Sequence, residues 1–483
     1  MLTPAPRRDG FARANPITHV RPFVSRVRII AAAIVAAAFA TACYSPPVQT
    51  PTTQVTQETP IRVSQNAQNK VDILFMVDNS LSMDAMQNEL RAKFGDFLSV
   101  FDKLGDQQLY PDLHIGVVTS DYGAGDKAKS GGCDASPGGQ GGLLQARGAA
   151  APAGCVAPVG ARFISYAYAP SGATHNLPAG QTLQQTFTCM ASVGSGGCGF
   201  EHQLESVYAA LHNQVENKGF LRDDAILAVV FVTNEDDGSA PPSTTIYEDD
   251  GGAHGAYDTF RQTRYAVACG SPDPALPAYG PSNGPLQSCG PAPNTPANHV
   301  GEAYDVSRYI DLFTKPPKQG GIKRNKQDVI VVGIDGKDPR FEVILAENNT
   351  GGGAGAHPDY VPCSTIGSNC LVRLQHSCQN QVQKAFFADP AIRINSVIDT
   401  VNPNQVFSIC GDDLAKTPDF SRALTKVAEA IGGLLGPGCI PAPLTSRDNP
   451  DCIVQDFTTD DNGVDHVSEI PRCDLVPGAL PCW

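Results

Sequence analysis

No apolar run in this sequence is long enough to cross a bilayer: the stretch from Ile29 to Ala42 offers roughly 12 to 14 apolar residues, short of the hydrocarbon core. There is no CxxC pair and no Cys/His ligand spacing among the 15 cysteines, which removes the common structural-zinc classes. No Ser-His-Asp set, His-Glu-x-x-His helix or Gly-rich phosphate loop is evident, so the usual hydrolase and nucleotide signatures are missing. A basic, aromatic-interleaved groove is also lacking. With a formal charge of -14, the chain repels phosphate backbones, and nucleic acid is excluded as a partner.

What is present begins with an address. Residues 1–42 carry six Arg and one Asp, and Arg21, Arg26 and Arg28 lead into the apolar run and the small residues Thr41 and Ala42. A basic lead, a short apolar core and a small-residue end predict a cleaved export signal. Its removal takes away five net positive charges and moves the balance from -14 to -19. Cys43 then follows directly, and the arrangement resembles the lipobox of bacterial lipoproteins, although Ala40 stands where a branched aliphatic residue is usual. The resemblance implies that Cys43 is lipidated. Tyr44, rather than Asp, after it favours the outer membrane, with secretion as the alternative. Setting Cys43 aside leaves 14 cysteines, an even number that suits up to seven disulfides in an oxidising compartment. Residues 43–68 are rich in Pro, Thr and Gln and predict an extended tether.

From residue 69 the pattern becomes that of a folded domain, expected to run to 438, with a Cys-rich extension at 439–483. Continuous apolar runs at 71–77, 113–119, 225–233, 328–334 and 405–410 predict buried strands. Arg162 to Tyr166 is a shorter strand candidate, and Phe341 to Leu345 a hairpin strand. Helical spacing follows the first strand at Met83, Met86, Leu90, Phe94, Phe97, Leu98 and Phe101, and recurs from about Gly199 and over 420–431. Further helices are expected at 259–267 and 374–387. The alternation specifies an α/β fold, three layers deep and Rossmann-like, with a mostly parallel central sheet flanked by helices. Disulfide-rich insertions are expected near 123–160 and 235–325, the second containing a loop closed by Cys269 and Cys289.

The chemistry concentrates at strand ends. The first strand stops at Asp78-Asn79-Ser80-Leu81-Ser82, so one carboxylate and two hydroxyls leave the same tight turn. Oxygen ligands of this kind suit a hard cation. The most apolar strand stops at Thr233-Asn234-Glu235-Asp236-Asp237. Asp121 and Asp335 follow two other strands and read as turn-capping acids, and Glu248-Asp249-Asp250 as a solvated run.

Strand, Asp-x-Ser-x-Ser, amphipathic helix and later acidic strand ends together resemble the von Willebrand factor type A (VWA) domain over roughly residues 70–435. In that family the Asp-x-Ser-x-Ser turn is the first loop of the metal-ion-dependent adhesion site (MIDAS), matched here by Asp78, Ser80 and Ser82. The family's Thr ahead of the third helix is absent, since the chain reads Gly197-Cys198-Gly199-Phe200-Glu201 there, and Glu201 is the carboxylate expected to reach the cation in its place. The family's Asp after the central strand is Asn234 here, with Glu235, Asp236 and Asp237 restoring negative charge one to three residues away and Asp236 expected at the ion. The resemblance implies a Mg2+ ion, or Ca2+ or Mn2+, whose open position takes an acidic group from an envelope or extracellular protein partner. It implies binding rather than catalysis. The competing readings are a disulfide-stabilised structural envelope protein with a degenerate metal site and, further off, a hydrolase.

Overall fold

From Val71 to Val77 only Asp72 is polar, so neither face of the segment suits water, and it becomes the middle of a sheet. The computed structural model describes residues 69–106, 109–125, 133, 140–213, 215–248, 254, 259–347, 360–367, 369–435, 454–460, 462, 464–472 and 475–476. The export segment, Cys43, the tether, Asp249, Asp250 and residues 436–453 lie outside them. The strands of the main sheet and of the hairpin beside it are β1 (Lys70–Val77), β2 (Asp112–Thr119), β3 (Ile164–Ala167), β4 (Thr174–His175), β5 (Ile226–Val232), β6 (Val329–Asp335), β7 (Val343–Glu347), β8 (Cys370–Leu374) and β9 (Val406–Ser408). Seven of them form one sheet in the order β9-β6-β5-β1-β2-β3-β4. The five from β9 to β2 are parallel, and β3 and β4 add an antiparallel edge.

Seven helices are described: α1 (Asp84–Asp106), α2 (Leu183–Ala191), α3 (Gln203–His212), α4 (Thr259–Ala266), α5 (Ser307–Thr314), α6 (Ile392–Val401) and α7 (Ser421–Leu435). Alternation along β1 sends Val71, Ile73 and Phe75 to α1, α2 and α7, and Leu74 and Met76 to α3, α5 and α6. On the first face Phe94 of α1 stacks on Phe187 of α2, and Phe75 meets both rings edge-on. The amino ends of the strands are pinned by Arg222, whose Nε donates to the buried Asp72 at 2.7 Å while its terminal nitrogen donates to Val71 and Asp112 carbonyls.

The expected strands are all present, and the layered α/β class holds. Residues 374–387 are not a helix: β8 ends there, and Cys378–Gln379 pairs antiparallel with Phe387–Ala388, leaving Val382 exposed on the connecting turn. The hairpin strand near 341–345 is present as β7, paired with β8. Helices α2, α5 and α6 escaped the periodicity reading. Helix α2 begins with a capping box between Thr182 and Gln185. The amino end of α6 is capped from far away: Asp236 accepts the backbone N–H of Arg393 at 3.0 Å and of Ile394 at 3.3 Å.

Five disulfides are described. Cys133–Cys198 and Cys155–Cys189 tie the first insertion to the segments around α2 and α3, and Cys269–Cys289 closes the loop expected of it. Cys363–Cys370 and Cys378–Cys410 brace the last third of the domain. Beyond α7, Val454–Thr459 and Asp465–Ile470 form a hairpin.

Arg393 is completely buried and its Nε donates to Asp237 at 3.1 Å. Replacing it, as in Arg393→Met, leaves a buried carboxylate without its cation and should lower stability by about 3–5 kcal/mol in urea unfolding. Thr182→Ala, which removes only a cap, should cost about 1 kcal/mol in the same measurement.

Candidate functional site

The chain leaves β1 to build β2 on one side and later fills β5, β6 and β9 on the other, so the strand order reverses beside β1. Such a reversal opens a crevice at the carboxyl ends of the strands. Asp78 stands in it. Its backbone N–H donates to Val232 O at 3.0 Å, which extends the β1–β5 pairing by one residue and fixes where the side chain emerges.

The Asp78 carboxylate is fully buried. Oδ1 accepts the Ser80 N–H at 2.8 Å and the Ser120 hydroxyl at 2.9 Å, and Oδ2 accepts the Thr233 hydroxyl at 2.8 Å. Burial raises this carboxyl above the usual carboxylate range, and the three donors pull it part of the way back. Ser82 falls in the single turn Leu81–Met83 that precedes α1. Its Oγ lies 3.3 Å from Ser80 Oγ and donates to Asn234 Oδ1 at 3.0 Å. Gln87 of α1 holds the turn in place, donating to the carbonyls of Asp78 and Gly194 at 2.8 Å each. Asp78, Ser80, Ser82 and Asn234 are thus brought together from two strand ends 152 residues or more apart.

The other two expected ligands are placed differently. Glu201 precedes α3 rather than opening it, in an isolated antiparallel bridge with Asp121. Its carboxyl lies within hydrogen-bonding reach of Glu235 and inside the field of Asp78, so burial and then those two acids push it far above the usual range. Asp236 does not join the crevice. Both its oxygens face the first turn of α6, where the exposed backbone N–H groups and the helix dipole favour a carboxylate. Its neighbour Asp237 accepts the Leu204 N–H at 2.9 Å and so serves the start of α3. Of the three consecutive acids, Glu235 is the one turned toward Glu201. Burial lifts its carboxyl to about 8.

The sequence reading missed Ser120 and Thr233 as partners of Asp78. The signal was there: both are hydroxyl residues at the carboxyl ends of strands that pair with β1. In the segment ahead of α3, Gly197 runs against the first loop, its N–H donating to Asn79 O at 2.9 Å. A Cβ on Gly197 would stand 2.5 Å from Asn79 Oδ1, so any other residue there would have to displace the Asn79 side chain. Cys198, next along, is engaged with Cys133. Asp121 caps its turn through the Gly123 N–H at 3.2 Å, as expected. Asp335 does not cap one: it is buried, neither oxygen has a hydrogen-bond partner of good geometry, and it folds back over Gly333 beside the Asn395 amide.

Among the described residues, no three His, Cys, Asp or Glu side chains converge as a ready-made metal shell, and no helix is long and apolar enough to cross a membrane. The chain matches no protein-family model, no curated protein and no solved structure.

Raised acids make a testable pH signature. Glu235 at about 8 and Asp236 at about 7 hold protons in the folded chain that the unfolded chain releases near pH 4 to 4.5. Their contribution is therefore complete below that range and is lost as pH rises through 7 to 8. His202, buried and lowered to about 4, acts in the opposite sense only below about pH 6.5. In chelator, stability between about pH 6.5 and 8 should fall by up to about 1.4 kcal/mol per pH unit for each proton held. Urea titrations at several pH values should show this slope, and Glu235→Gln should flatten it.

Proposed function

We propose that the chain is a VWA-type envelope lipoprotein whose Asp78 crevice binds a divalent cation and, through it, an acidic group on a protein partner. The observation that carries this reading is the buried Asp78 carboxylate at the strand-order reversal, with the hydroxyls of Ser80 and Ser82 and the amide oxygen of Asn234 in the same crevice. The donor set fits the ion: it is all oxygen, it includes a buried negative charge, and its hydroxyl and amide groups are neutral. Asp78, Ser80, Ser82 and Asn234 would hold a magnesium-type ion, directly or through its waters. Bound there, the ion supplies a positive charge with an open position for an outside carboxylate. The chain's own part is orientation. Ser120 and Thr233 fix the carboxylate of Asp78, and Gln87 fixes the turn from which both serines project. Cys43, the tether and the outer-membrane address complete the proposal: an anchored module presenting its crevice to a partner.

One observation favours the structural alternative. Ser82 already donates to Asn234, so the hydroxyls of the crevice are satisfied among themselves. In that reading the disulfides give rigidity and the crevice receives no ion. Titration calorimetry of the mature protein with Mg2+, Mn2+ and Ca2+ distinguishes the two. Adhesion predicts saturable binding of at least one ion, weakened at least about 100-fold, or ~2.7 kcal/mol, by Asp78→Asn. Absence of heat and of any thermal shift with all three ions would leave the structural reading.

A further inference from the structure

We propose that Glu201, Gln203 and Glu235 form a second cation seat behind the serine crevice, suited to a calcium-type hard ion held by carboxylate and amide oxygens. Three unsatisfied acceptors carry the inference. Glu201 Oε2, Gln203 Oε1 and Glu235 Oε2 are each buried without a hydrogen-bond partner, and the residues are 1 %, 0 % and 7 % exposed. Their placement brings them together. Gln203, the first residue of α3, donates its amide N–H groups to Thr233 Oγ1 at 3.1 Å and to Glu235 O at 3.4 Å, which sets its head among the residues that follow β5 and leaves its oxygen over. The carboxyls of Glu201 and Glu235 lie within hydrogen-bonding reach of one another. The Glu201 backbone is held in turn, its N–H donating to Gln262 Oε1 at 2.8 Å and its carbonyl accepting from Gly238.

Buried acceptor oxygens left without a donor are costly. Arg373 bears on Glu235 and Gln262 on Glu201, but Asp78 and Asp389 add further negative charge around Glu235. An ion in the crevice would offset Asp78 and leave the two glutamates. The inference rests on the cation reading of the crevice for that charge count. Two carboxylates and an amide oxygen exclude a soft metal. The dry surroundings favour calcium, which accepts irregular all-protein oxygen shells, over magnesium, which keeps several waters in a strict octahedron. The seat links α3 to the end of β5, so its ion would brace the strand end that carries Asn234.

The test counts ions. After equilibrium dialysis of the mature protein against Ca2+ at physiological salt, bound metal is measured in the wild type, Glu235→Gln and Ser82→Ala, with Glu201→Gln as the substitute should Glu235→Gln fail to fold. Two ions in the wild type, one lost in each variant, is the expected result. One ion that survives Glu235→Gln and is lost in Ser82→Ala overturns the second seat and keeps the crevice reading. One ion with the opposite pattern keeps the seat and overturns the crevice. One ion lost in both variants shows a single shared site and overturns the seat as a separate one, and no bound ion overturns both.

Discussion

Asp78 is an acidic side chain wholly removed from solvent, and its carboxylate is met by a backbone N–H and two hydroxyls rather than by a cation. Isolated carboxylates do not persist in such surroundings unless donors or a counter-ion compensate for the lost water. Much of the upper half of the domain is arranged to supply those donors. Ser120 comes from the end of β2, Thr233 from the end of β5, and Ser80 from the turn that opens toward α1. The three strands can deliver them to one point because they are parallel neighbours in register, with Val77 level with Thr119 and Val232.

The same logic extends outward. Thr233 passes its demand to Gln203, and the acids after Asn234 divide among three tasks. Glu235 faces Glu201, Asp236 receives the start of α6, and Asp237 joins α3 to Arg393. A single short turn thereby sets the position of two helices and the floor of the crevice. The Cys133–Cys198 disulfide and the close pass of Gly197 over Asn79 hold the opposite wall. This division explains why the cluster looks overcharged in the sequence: two of its three acids receive helix ends.

The sheet was legible because buried parallel strands are written as continuous apolar runs, and the Asp78 turn because its oxygens alternate directly after one. Helix α6 was not. Its sequence, Ile-Arg-Ile-Asn-Ser-Val-Ile-Asp-Thr-Val, is rich in β-branched residues, and the group that caps it lies 157 residues earlier. Helix α2 carried a local capping box in Thr182 and Gln185, in a stretch to which no element had been assigned. Adjacent acids are equivalent in sequence, so Asp236 was expected at the ion while the structure turns Glu235 inward. Glu201 was expected in the first turn of α3, whereas the structure brings it in through a bridge with Asp121 ahead of that helix.

Whether the Asp78 arrangement exists to receive a cation is the central question, and diffraction answers it most directly. Crystals of the mature protein grown with Mn2+ and measured at an anomalous wavelength should show a manganese peak at direct or water-bridged distance from Asp78, Ser80 and Ser82. A fully occupied set of neutral donors around Asp78, with no anomalous peak in the crevice at saturating Mn2+, would contradict the account.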